Sequence, residues 1–196
     1  MTTTLFYNPT AISNVTIPNT VTGYPSIDWN FNSTAITDTV EAVTQKPLHT
    51  ISGLWMEKFL SNTSQLWCTQ YNIPNSANRV VGIELQLNIK RAARIEDLIV
   101  QLTLGGVLIG DNLASTINPV QSNMYTGGGP NDVPLVPVGD INIYGGSTNV
   151  WGTTGLTAAN IADPTFGVVV SFKSNQIYPH TDIAYLSQVG LRVTYA

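Results

Sequence analysis

The chain has 196 residues, 8 Lys+Arg against 12 Asp+Glu, a formal charge of −4 and one cysteine. Charged residues make up only 10%, far below the ~25% of ordinary soluble domains, and Thr, Asn, Ser and Gln fill the deficit. This excludes a charged disordered tail, a Glu/Lys/Ala-rich bundle or coiled coil, a nucleic-acid binder that neutralises phosphates, an internal disulfide and an all-cysteine zinc site.

The length suits one domain, with room for an arm. The start, Met1-Thr-Thr-Thr-Leu-Phe-Tyr, lacks the basic and apolar stretches of a signal peptide. No apolar run approaches the ~20 residues that cross a bilayer. Synthesis in a cytoplasm is the default expectation. The glycosylation-type tripeptides at Asn14, Asn32 and Asn62 then read as coincidence.

In chain order, Leu5-Phe6-Tyr7 and Val15 to Pro18 look extended. Asp38 to Gln45 is a short helix or irregular, and Ile51 to Leu60 has no clean alternation. Trp67, Thr69, Tyr71 and Ile73 are expected on one face of a strand. Val81, Ile83, Leu85, Leu87 and Ile89 alternate with Gly82, Glu84, Gln86 and Asn88, the period of a strand with one buried face. The basic run Lys90-Arg91-Ala-Ala-Arg94 follows. Leu98, Val100, Leu102 and Leu104 form the next inner face. Gly105-Gly106 then turns the chain into a short strand at Val107 to Ile109.

Residues 110 to 140 contain Gly127-Gly128-Gly129-Pro130 and prolines 134 and 137. They read as a long loop, a kind of segment that often carries function. Ile141 to Tyr144, a turn at Gly145-Gly146-Ser147 and Val150-Trp151-Gly152 come next. Thr157 is placed to cap one helical turn through Ile161, which Asp163-Pro164 ends. Phe166, Val168, Val170 and Phe172 face inward from one strand; Ser174 to Thr181 is turn-like. The last strand puts Ile183, Tyr185, Val189, Leu191, Val193 and Tyr195 on one face. Many short strands without repeats or a linker imply an all-β fold of two packed antiparallel sheets or a barrel.

Candidate chemistry is sparse. His49 and His180, even with Asp182, make an incomplete metal set, and Pro-His-Thr-Asp reads as a solvated turn. Neither a Gly-x-Ser-x-Gly elbow nor a His-Glu-x-x-His helix is present. Cys68 reads as a buried thiol, because nothing nearby would lower its pKa. Glu96 and Asp97, adjacent on a strand, point to opposite faces and make no glycosidase pair. They read as partners of Arg91 and Arg94 near a turn. The glycine run has no following Lys-Ser/Thr, so it is no phosphate loop. Arg79, Lys90, Arg91 and Arg94 hold half the basic residues; a solvated turn is preferred over a polyanion site. The aromatic residues suit sugar stacking or a sandwich core, with Trp67 and Trp151 read as core and Trp29 and Trp55 unplaced.

The order of motifs across residues 65–196 resembles a β-sandwich domain of tailed-phage structural proteins. The matching residues are Ile73-Pro74, Ala77, Val80, Gly82-Ile83, Asp97, Gly105-Gly106, Tyr144-Gly145-Gly146, Trp151-Gly152, Ile161, Phe166-Gly167-Val168 and Tyr195. Asn149 departs from the acid common at its position, and the loop before Ile141 is long for the pattern. The first 45 residues do not match. The resemblance implies an antiparallel, jelly-roll-like β-sandwich over 46–196 with an extended N-terminal arm over 1–45.

It also implies a virion structural protein and no enzyme or cofactor. The expected function is capsid decoration (cement): noncovalent bridging of major capsid protein subunits by a homotrimer, with Leu5, Phe6 and Tyr7 as arm contacts. Neither nucleic acid nor membrane is an expected partner. A tail-fibre, baseplate or neck component, with glycan binding, is the competing reading.

Overall fold

The computed structural model describes residues 1–15, 30–31, 49–52, 62–76, 78–91, 95–115, 140–174 and 183–196. The segment 38–45, read as a short helix or irregular, most of the long loop, Trp29, Trp55, Ala77, Arg94, His180 and Asp182 lie outside them, as do the side chains of His49, Lys90 and Arg91.

The protein is all-β, with two antiparallel sheets and almost no helix. The strands are β1 (Thr2–Thr3), β2 (Ala11–Val15), β3 (Asn30–Phe31), β4 (His49–Ser52), β5 (Gln65–Thr69), β6 (Val80–Arg91), β7 (Ile95–Leu104), β8 (Val107–Ile109), β9 (Asp140–Gly146), β10 (Gly167–Ser174) and β11 (Ile183–Tyr195). Sheet I has the order β3-β4-β11-β6-β9, with β1 added on β11; sheet II is β2-β5-β10-β7-β8. The helix α1 (Ala158–Ala162) carries the expected Thr157 cap, whose side chain accepts from the Asn160 backbone while Asn160 reaches back.

One buried cluster joins the sheets. Sheet I contributes Ile83, Leu85, Leu87, Ile89, Leu186, Val189, Leu191 and Val193, and sheet II contributes Leu66, Cys68, Val100, Leu102, Val168, Val170 and Phe172. Each fully buried aliphatic side chain stabilises the fold by about 1.5–3 kcal/mol.

Simple alternation fails where the strands bulge, because one extra residue shifts every later side chain to the other face. Between β6 and β11, Gly82 faces Thr194 but Val80 faces Tyr195, so Val80 and not Val81 is buried. In β11, Leu186 pairs with Ile89 and Gln188 with Asn88; the extra residue, Ser187, turns Leu186 inward. Between β7 and β10, Ile99 faces Ser171 but Asp97 faces Phe172. Leu98 is the extra residue, and Asp97 enters the core at 2% exposure. The expected partners Arg91 and Arg94 lie outside the described side chains. Glu96 pairs with Lys173 at 3.2 Å. Asp97 accepts a hydrogen bond from the Tyr144 hydroxyl at 2.8 Å and another from the Ser115 backbone at 3.2 Å.

The Leu98 bulge is held by one side chain. Asn112 accepts from the Val100 backbone at 2.8 Å and donates to the Leu98 carbonyl at 3.0 Å. With the Leu113 backbone donating to the Val100 carbonyl at 2.8 Å, this amide takes the place of a neighbouring strand. The β7–β8 hairpin turns at Gly105 and Gly106, whose φ values of 63° and 78° fit the two-residue turn that matches strand twist.

The face expected to unite Trp67, Thr69, Tyr71 and Ile73 is split. Strand β5 ends at Thr69, and Gln70 and Asn72 have φ of 56° and 53°. These left-handed residues reverse the side-chain sense. Tyr71 and Ile73 enter the core; Trp67 does not, because Leu66 and Cys68 hold the inner face of β5.

Trp151 is core, as expected, and closes one end of the cluster. Its fully buried indole donates from Nε1 to the Ile83 carbonyl at 2.9 Å. A Cβ on Gly145 would lie 2.3 Å from that carbonyl and 2.5 Å from Nε1, inside the hydrogen bond. A Cβ on Gly82 would lie 2.2 Å from the Ser147 backbone.

Two substitutions test this frame by urea denaturation. Tyr144→Phe removes a bond to a buried carboxylate and should lower stability by about 1.5–3 kcal/mol. Gly145→Ala forces a left-handed alanine and opens the Trp151–Ile83 bond, for about 2–4 kcal/mol. A midpoint unchanged in either variant contradicts the role assigned to that contact.

Candidate interaction surface

The N-terminal segment lies on the sheets. Thr2 and Thr3 pair with Tyr195 and Thr194, Tyr7 exchanges backbone hydrogen bonds with Leu191 at 2.8 and 2.9 Å, and Ala11–Val15 pairs along β5. Residues 1–15 therefore supply strands to both sheets. An isolated arm would leave these backbone groups to water. Here they extend two existing ladders, and Tyr7 and Ile12 also pack against the core.

This arrangement separates the three expected contact residues. Leu5 is 81% exposed. Phe6 lies over sheet I, its ring centroid 4.6 Å from the Arg192 guanidinium carbon. A Cβ on Gly190 would be 3.4 Å from that ring. Tyr7 is half-buried and held by Leu191.

The outer face of sheet I carries more apolar surface than those three residues imply. On β9, Tyr144 faces the core, so Ile141 and Ile143 face out, at 59% and 50% exposure. The register places Ile143 beside Gln86 and Gln86 beside Gly190, over which Phe6 sits. Two polar pairs lie on this face: Arg192 with Glu84 at 2.7 Å, and Gln86 donating to Gln188 at 3.2 Å. The result is a flat strip with apolar flanks and internally compensated charge. Isoleucines 141 and 143 were not singled out from the sequence. The usable signal was Tyr144 in the Tyr-Gly-Gly motif: once it points inward, residues 143 and 141 alternate outward.

The other candidates separate. Arg79 precedes the 12-residue strand β6 and Arg91 ends it. At ~3.4 Å per residue they stand about 40 Å apart, so the four basic residues do not form one patch. Among the described residues, no three His, Cys, Asp or Glu side chains form a metal-holding group, and no helix is long and apolar enough to cross a membrane.

Cys68 is buried, and desolvation pushes its thiol far above the usual range. Burial likewise raises the Tyr71 hydroxyl, with a further push from Cys68. These environments suppress ionisation and give neither group a nucleophilic role.

No family model, curated protein or solved structure matches the chain.

The raised groups fix the sign of the alkaline response. A thiol that ionises only when unfolded favours the unfolded state above its unfolded pKa of about 8.5. The thiol's contribution should be level below that pH and fall above it by about 1.4 kcal/mol per pH unit for one proton. Cys68→Ala should remove this first decline and leave a tyrosine-dependent one above about pH 10. Denaturation midpoints across that range check it; an unchanged slope in Cys68→Ala contradicts it.

Proposed function

We propose that this chain is a tailed-phage virion structural protein with a jelly-roll-like sandwich fold, most specifically a capsid decoration protein. In this reading it works by contact alone, without catalysis or cofactor, as a homotrimer that bridges neighbouring major capsid protein subunits. The observation that carries the reading is that residues scattered through the phage-type motifs make direct contact. Gly82-Ile83, Gly145-Gly146 and Trp151 form one close-packed group, and Asp97 is bonded to Tyr144 across the sheets. The motif therefore encodes a way of closing two sheets together, which is the property such a resemblance would preserve.

The outer strip of sheet I suits the proposed role. Its exposed Ile141 and Ile143 offer apolar area, while among the described residues Glu84 and Arg192 match each other's charge. Interfaces of this kind draw affinity from a few apolar anchors and specificity from their polar surroundings. A tail-fibre, baseplate or neck role is favoured by a different observation, the placement of Trp67 on the outer face of sheet II.

Purified particles discriminate the two. Decoration requires hundreds of copies per virion by quantitative gel; a dozen or fewer sinks it and favours the tail reading. Truncating the N-terminus is a poor contact test, because residues 2–15 hold up both sheets. Ile143→Asp is cleaner. It should leave monomer stability within about 0.5 kcal/mol and reduce capsid occupancy about tenfold or more. Full occupancy with this variant excludes the strip as the capsid contact.

A further inference from the structure

We propose that the outer face of sheet II around Trp67 is a binding site for a neutral glycan. The site is independent of where the protein sits in a virion and does not rest on the decoration reading. Side chains at Gln65, Trp67 and Thr69 alternate with the buried Leu66 and Cys68, so all three lie on the face away from the core. The register extends this face across four strands: Ser13 opposes Trp67, Trp67 opposes Val169, and Val169 opposes Gln101. Val169 is fully buried although it lies outside the inter-sheet cluster, while Ser13, Trp67 and Gln101 keep partial exposure.

The chemistry of this row selects its ligand. Trp67 donates from Nε1 to Gln65 Oε1 at 2.9 Å, two residues back on the same face. That bond draws the indole along the strand and fixes its rotamer. The polar edge of the ring is thereby satisfied within the protein, which leaves its π surface as what it offers a ligand. A pyranose presents axial C–H groups that pack on such a surface, and hydroxyls around its rim. The polar side chains at neighbouring positions on this face, Ser13, Gln65 and Thr69, and Gln101 beyond Val169, are uncharged donors and acceptors. Gln101 is also anchored, donating to the Gly110 carbonyl at 2.7 Å.

Among the described residues, the ionic groups on the outer face of this sheet, Glu96 and Lys173, are matched to each other. An anionic sugar or nucleic acid would find no unmatched cation in the row. A peptide would gain little from it, since the strands flanking Trp67 already use their backbone groups in the ladder. A fixed aromatic plane ringed by neutral amides and hydroxyls matches a neutral polyhydroxylated ligand.

The test uses the full-length protein and a panel of neutral oligosaccharides (maltohexaose, cellohexaose, laminarihexaose and chitohexaose), with a sulfated heparin hexasaccharide as the anionic probe. Ligand-observed NMR at millimolar glycan should detect at least one neutral binder and no heparin binding. Trp67→Leu keeps apolar cover over Val169 but removes the π surface, and should weaken binding at least about tenfold. Trp67→Phe should retain most of it, and Ile143→Asp, on the opposite sheet, should leave it unchanged. If no neutral glycan binds, if only heparin binds, or if Trp67→Leu binds as well as the parent, the proposal is overturned. None of these outcomes bears on copy number or capsid occupancy, so the two readings fail separately.

Discussion

The hydrogen bond from Trp151 to the Ile83 carbonyl organises one end of the molecule. It joins a loop side chain to the longest pairing in sheet I, that of β6 with β11, and it is fully buried. Trp151 itself sits at φ 59°, a left-handed conformation that costs a non-glycine residue about 1–2 kcal/mol. The bond and the burial of a large indole more than offset that strain. Other contacts follow from the ring's position. The chain must pass Gly145 without a side chain, and the Asp111 backbone donates to the Trp151 carbonyl at 2.6 Å. From there Asn112 reaches β7 and stabilises its bulge. That bulge turns Asp97 inward to meet Tyr144. A single ring placement thus propagates through two loops to the bond that ties the sheets together.

This chain of dependence explains what sequence reading reaches. The strands β6, β7, β10 and β11, the Gly-Gly hairpin and the Thr157 cap were legible because each rests on local chemistry: period-two burial, positive φ, or a side chain capping its own helix. The inner set was legible only between irregularities. Alternation assigned Val81 and Leu98 to the inner face, whereas the bulges bring in Val80, Leu186 and Asp97. A bulge is set by how two strands pair across the sheet, and one strand's own pattern carries no record of it. Gln70 and Asn72 hid the turn after β5 for a related reason. Neither is glycine, so their left-handed backbone is a response to tertiary contacts: the Gln70 carbonyl accepts from Thr10, and its N–H donates to the Pro164 carbonyl.

The candidate surfaces show the same division. Leu5, Phe6 and Tyr7 stand out in sequence as an apolar group near a terminus, which suggested a free arm. In the fold, the segment between β1 and β2 separates them into one exposed leucine, one ring stacked on Arg192 and one tyrosine tied to Leu191. Trp67 was drawn toward the core by hydrophobicity alone. Its neighbours Leu66 and Cys68 are the better guide, because two fully buried residues flanking it on one strand leave it only the opposite face.

The low charge of the chain acquires a structural meaning on these two faces. Glu84 with Arg192 on sheet I and Glu96 with Lys173 on sheet II each pair across adjacent strands. Exposed pairs of this kind add little stability, about 0–1 kcal/mol each. Their larger effect is on what the faces can touch. A lone charge on a flat sheet must be desolvated when that sheet is covered, at a cost that few contacts recover. A charge already matched by its neighbour on the next strand lowers that cost while still opposing nonspecific strand addition. Among the described residues, both sheets therefore present surfaces that can be covered without burying an unmatched ion. They differ in what they add to that neutrality: branched aliphatic side chains on sheet I, suited to packing against protein, and an aromatic plane among amides and hydroxyls on sheet II, suited to a hydrated ligand. One fold, closed at Trp151, can hold two such faces back to back because its core binds the sheets without using either outer surface.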